Sequence, residues 1–72
     1  MAKHKELIEL GQRIRAIRLS KGLVQEEIAH GAELARSYYS DVERGSRNVS
    51  AINLIKIAEA LDVSVGELFP DS

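Results

Sequence analysis

Near the start of the chain, apolar residues recur at helical spacing. Leu7, Leu10, Ile14 and Ile17 are separated by three, four and three positions, with Arg13, Arg15 and Arg18 among them. Such a stripe lies along one side of a helix and leaves the charges on the other. Gly22 after Lys21 is a stop signal, so the first helix is expected over about Glu6–Lys21. A short second helix is expected over about Gln25–Ala32. Glu26 and Glu27 fall in its first turn, where the positive end of the helix favours carboxylates, and Ile28 and Ala29 face inward. A third is expected over about Arg36–Glu43, closed by Gly45. The connection between the second and third is short, so these two helices must meet at a sharp angle. Ser50 can cap a fourth helix whose apolar positions are Ile52, Leu54, Ile55, Ile57, Ala58 and Leu61, a stripe wide enough for a central helix. The spacing of Ser64 and Glu67 is that of a capping box opening a last short helix, which carries Leu68 and Phe69 and stops at Pro70. No run alternates with period two for long enough to make a strand. The pattern predicts one all-α domain over residues 1–72.

Composition narrows the setting. Seventy-two residues with 44% apolar content suffice for one core, near the small end of what folds unaided. The absence of cysteine excludes disulfides and thiolate metal sites and fits a reducing compartment. No apolar run is long enough to span a membrane. The opening MAKHKELIEL is charged and lacks a continuous apolar region, unlike a secretory signal. A cytoplasmic location is expected.

The net charge of −1 does not by itself suggest an anionic partner, but its distribution changes that picture. Residues 1–48 carry nine Lys/Arg against seven Asp/Glu, and residues 49–72 one lysine against four carboxylates. Arg13–Lys21 holds four basic residues and no acidic one. For a binding face, this asymmetry matters more than the sum.

Chemistry for catalysis is missing. There is no P-loop, no G-x-G-x-x-G and no H-E-x-x-H. His4 and His30 are isolated, and nothing places His30, Asp41 and a serine in triad order around a nucleophile elbow. No enzyme activity, metal, cofactor or small-molecule ligand is expected. What stands out is RSYYSDVERGSRNVS, Arg36 to Ser50, a row of arginines and short polar groups in a slightly acidic chain.

The segment QEEIAHGAELARSYYSDVERGSRNVSAINLIKIAEALDVSVGELF resembles the phage-repressor and Cro type of helix-turn-helix domain, over about Leu10–Phe69. The Gln-Glu-Glu-x-Ala opening, the Val-Glu-Arg-Gly close and the following Ile-Ala-x-Ala-Leu helix carry the likeness. The Arg-Ser-Tyr-Tyr-Ser and Arg-Asn-Val-Ser segments are similar to controller proteins of restriction–modification systems. The resemblance implies a five-helix, lambda-repressor-like fold with its motif over about 25–43. Gln25–Ala32 would cross the DNA backbone, Arg36–Glu43 would enter the major groove, and the protein would bind a palindromic operator as a homodimer.

Base edges are read by short polar groups near the start of such a helix, and phosphates are held by arginines and helix ends. Arg36, Ser37, Ser40 and Asp41 are therefore candidates for base contacts, and Gln25, Tyr38, Arg44, Arg47 and Asn48 for phosphate contacts. Asp41 repels phosphate, but it can accept from a cytosine amino group or orient Arg44 or Arg36. Tyr39 stands where the family places a core residue, so packing is expected of it rather than DNA contact. Arg18 and Glu43 match the family's internal ion pair between the first and recognition helices.

Three positions depart from the pattern. Val24 and Ala35 replace the polar caps of the second and third helices, and Glu33 replaces a turn glycine. Val63, Val65, Leu68 and Phe69 cluster near the C-terminus in excess of what a short last helix can bury, and are expected at a dimer interface. The expected partners are double-stranded DNA and a second copy of the chain. The alternative is a protein-interaction module of the same fold, antitoxin-like or polymerase-contacting, whose partner is a polypeptide such as a toxin or a polymerase subunit.

Overall fold

A computed structural model describes residues 4–69. It contains α1 (Lys5–Ser20), α2 (Gln25–Gly31), α3 (Arg36–Arg44), α4 (Ala51–Leu61) and a 3₁₀ turn, Val65–Leu68. There is no strand among the described residues. The last element is where the architecture departs from five α-helices. Only four residues separate Ser64 from Phe69, and Phe69 is already extended, which leaves no room for an α-helical ladder. The expected stop at Pro70 lies outside the described residues.

All four α-helices end in the same way, with a residue of left-handed backbone just past the last turn. These are Gly22 (φ 70°), Glu33 (φ 59°), Gly45 (φ 74°) and Asp62 (φ 60°). Each lets a following backbone N–H return to a free carbonyl of its helix: Leu23 to Arg18, Leu34 to Ala29, Ser46 to Asp41 and Val63 to Ala58, at 2.8–3.1 Å. Glycine takes this conformation without strain. Glu33 and Asp62 do so at roughly 1–2 kcal/mol each.

The helix starts are less uniform. Ser50 caps α4 through its hydroxyl, which accepts from Asn53 N at 3.1 Å. Ser64 gives its backbone N–H and its hydroxyl to Glu67 Oε2, both at 3.1 Å, and these bonds hold the Glu67 carboxyl below its ordinary range. Val24 and Ala35 offer no side-chain cap. Glu27 supplies half of a capping box by accepting from Val24 N at 2.9 Å. Since Val24 is 56% exposed, replacing it with threonine adds a capping hydroxyl without emptying the core. Val24→Thr is expected to raise stability by about 0.5–2 kcal/mol. A fall in melting temperature would show that the valine methyls serve packing instead.

Tyr39, Ile14, Ile28, Ile57, Leu61 and Leu68 are wholly buried at the centre of the core. Helix α4 is not the central helix that its wide stripe predicts. It packs on α2 and the 3₁₀ turn from one side. Ile57, Ala58 and Leu61 are buried, but Ile52 remains 67% and Ile55 45% exposed.

Helix α1 crosses close behind α3. A Cβ on Gly11 would fall inside the backbone carbonyls of Val42 and Glu43, and one on Gly45 would lie 2.5 Å from Ile8 Cα. The two backbones meet at both glycines, which sets α3 at a fixed depth on the scaffold.

Candidate nucleic-acid interface

Helix α3 has two faces with separate tasks. Tyr39, Val42 and Glu43 turn inward and are buried. Arg36, Ser37 and Arg44 are exposed, and Ser40 and Asp41 are half-buried beside them. Helical spacing brings Arg36, Ser37, Ser40 and Arg44 around one concavity of about 330 Å³.

The inward face is held by a buried polar cluster. Glu43 Oε2 accepts from Arg18 Nε at 2.7 Å and from the Tyr39 hydroxyl at 2.5 Å. Glu43 Oε1 accepts from Arg18 Nη2 at 3.1 Å and from Gln25 Nε2 at 3.0 Å. Arg18 Nη1 donates to the Leu23 carbonyl at 2.9 Å. One guanidinium thus ties α1, the α1–α2 turn and α3 together, and Gln25 brings in the start of α2. Burial pushes the Glu43 carboxyl up, but the hydrogen bonds from Arg18, Tyr39 and Gln25 outweigh it and hold it below its ordinary range. Burial, reinforced by the bond to Glu43, pushes the Tyr39 hydroxyl well above its usual range, so it stays a donor. Glu43 is therefore charged and fully occupied, and it adds little repulsion to the outer face.

The outer face is also organised. Ser40 Oγ accepts from Arg44 Nη1 at 2.8 Å. Asp41 pairs with two arginines, through Oδ1 with Arg44 Nη2 and through Oδ2 with Arg47 Nη2 at 3.3 Å. The Arg47 guanidinium lies over the Tyr38 ring, 4.8 Å from its centroid, within cation–π range. Asn53 Nδ2 donates to the Tyr38 hydroxyl at 3.0 Å.

Seven of the nine candidate contact residues fall into two linked groups. Arg36, Ser37, Ser40 and Arg44 share the concavity, and Asp41 joins Arg44 to Arg47 and so to Tyr38. Gln25 stands apart, with its amide nitrogen committed to Glu43. The ninth, Asn48, is exposed in the stretch after α3. Asn53 was not anticipated as part of this surface. The signal for it was an amide side chain in the otherwise apolar first turn of α4.

The C-terminal candidates divide as well. Leu68 is wholly buried in the protomer's own core, which corrects its expected place at a dimer interface: the 3₁₀ turn points this side chain back between α1 and α4. Val63 and Val65 are half-buried against the same core, and Phe69 is 45% exposed.

Comparison with known proteins adds an independent line. A family model described as Helix-turn-helix matches residues 14–68. The control protein C.BamHI of Bacillus amyloliquefaciens is 51% identical over 59 residues, which cover 81% of this chain and 73% of that protein. The control protein C.MunI of a Mycoplasma species is 43% identical over 65 residues, covering 89% and 88%. The crystal structure of the restriction-modification controller protein C.AhdI from Aeromonas hydrophila superposes with a TM-score of 0.89 at 50% identity, covering 92% of this chain and all of that one.

Proposed function

The chain belongs to the helix-turn-helix family of DNA-binding transcriptional regulators, and from that premise we propose that it binds a palindromic operator as a homodimer, with α3 in the major groove. The observation that carries this reading is the division of α3. Its inner face is locked to α1 and α2 by Tyr39, Val42 and Glu43, while Arg36, Ser37, Ser40 and Arg44 project together on the outer face. A rigidly mounted helix presenting arginines and short polar groups suits readout of base edges. Residues 25–43 form the reading unit, and Arg47 and Asn48 lie beyond α3, where phosphate is in reach and bases are not. Similarity to the controller proteins supports a role in regulating a restriction–modification system from within the cytoplasm.

The dimer surface is assigned to the apolar side chains that the protomer leaves uncovered. Ile52 and Ile55 share one face of α4, and Phe69 follows the 3₁₀ turn. Ile52 and Ile55 lie one turn apart, and adjoining exposed apolar side chains mark an interaction surface more often than scattered ones do. Ile55→Lys is expected to shift the protein from dimer to monomer in sedimentation at micromolar concentration, with its helical content unchanged. A wild-type protein that sediments as a monomer throughout would rule the dimer out.

Selection of bound fragments from random duplexes tests the DNA reading. A palindromic consensus is the expected result. An absence of enrichment would favour the protein-interaction reading instead.

A further inference from the structure

The Asp41 carboxylate occupies an unusual position for a DNA-reading helix. Both of its oxygens are engaged by arginines on the face that should meet an anionic ligand. These arginines are both candidates for phosphate contact, and each has a second anchor, Arg44 on Ser40 and Arg47 on the Tyr38 ring. The Tyr38 ring is fixed in turn by Asn53 of α4. A carboxylate bridging two guanidiniums has the shape and charge of a phosphate in the same seat.

We propose that Asp41 is a specificity-determining residue that acts as an internal stand-in for a DNA phosphate: it holds Arg44 and Arg47 off the backbone of non-operator DNA and releases them where a base amino group takes their place. This inference rests on the DNA reading above. Its first half follows from the geometry, since a guanidinium already paired with a carboxylate has less to gain from a phosphate. The second follows from chemistry. When the arginines turn to the backbone, Asp41 is left with two acceptor oxygens in the major groove. A cytosine N4 or adenine N6 amino group satisfies them, whereas guanine O6 or thymine O4 repels them. Backbone grip and base identity become linked through one side chain. The pairs are exposed, with Asp41 28%, Arg44 59% and Arg47 47% accessible, and pairs of that kind hold by only about two- to fivefold in an equilibrium. The restraint is thus weak enough for an operator to overcome.

The test uses the purified full chain, its selected operator and a scrambled duplex, with binding followed by fluorescence anisotropy over a series of salt concentrations. Asp41→Asn keeps the side-chain shape and removes the charge, and Asp41→Ala serves as a second variant. Both are expected to bind the scrambled duplex about three- to tenfold more tightly. Their salt dependence on that duplex should steepen by about one to two phosphate contacts. The ratio of operator to scrambled affinity should fall about tenfold. In an Arg44→Gln, Arg47→Gln background, Asp41→Asn should lose most of its effect on scrambled binding. Equal tightening there would mean that the carboxylate acts by long-range repulsion alone, and would overturn the proposal. Equal shifts on both duplexes in the single variants would overturn it too, while leaving the operator reading intact. A wild-type protein that selects no duplex at all overturns both.

Discussion

Replacing Arg18 with alanine is expected to cost about 3–5 kcal/mol of stability, because it leaves the Glu43 carboxylate buried and without its charged partner. A chain of this size has roughly 4–11 kcal/mol in total, so the variant should be close to unfolding at ambient temperature. The paired side chains are 8% and 2% exposed, so water cannot take the place of the guanidinium. Arg18→Lys should recover little, because an ammonium cannot reach both Glu43 oxygens and the Leu23 carbonyl together.

The effect carries a pH signature. In the wild type the Glu43 carboxyl is depressed on folding, so its contribution is present above the ordinary carboxylate range and is lost as pH falls through the folded value. Without Arg18, burial is opposed only by Tyr39 and Gln25, so the folded carboxyl rises relative to the wild type. Less stability is then lost on acidification, and the deficit shrinks as pH falls. Urea denaturation near neutral pH and at about pH 4 should show the gap between wild type and variant narrowing on the acid side. An equal gap at both would mean that the charge of Glu43 contributes nothing to the folded state.

Leu68→Ala should be the second largest loss, about 2–5 kcal/mol, because it opens a cavity under a side chain with no exposed surface. The denaturation midpoint should fall at every protein concentration, with an unchanged slope. Phe69→Ser, one residue further on, should leave the midpoint of the isolated protomer nearly unchanged and weaken self-association. If the Leu68 variant dissociated without losing stability, the side chain would belong to the interface after all.

These two neighbours show where the sequence was legible and where it was not. Apolar spacing located the helices to within a residue or two, because amphipathic periodicity is a local property. Gly22, Gly45 and Ser50 marked ends for the same reason, whereas the left-handed backbone at Glu33 was legible only through the family resemblance, which puts a glycine there. The pattern said that Ile52, Ile55, Leu68 and Phe69 were apolar, but not which of them would meet the protomer's own core. That depends on the angle at which α4 and the 3₁₀ turn settle, which non-local packing decides. Gly11 drew no notice in the sequence pattern, and its close approach to α3 became visible only with both helices in place. Asp62 carried no glycine to announce its left-handed turn. On α3, the residue types pointed outward correctly as a group. The double engagement of Asp41 depends on side chains three and six positions away converging, and the exposed stretch after α3 does not fix that from spacing.

The division of labour within α3 also bears on how such a protein can change. The buried residues that mount the helix, Tyr39, Val42 and Glu43, lie on one side, and none of them belongs to the outward group of Arg36, Ser37, Ser40 and Arg44. Substitutions in the outward group leave the mounting untouched, so they should move preference between DNA sequences with stability shifts within about 0.5 kcal/mol. The helix behaves as an exchangeable key in a fixed lock-plate. New target sequences are then reachable by single steps, each of which yields a folded protein, and a library varied only at positions 36, 37 and 40 should hold many stable members with divergent operators.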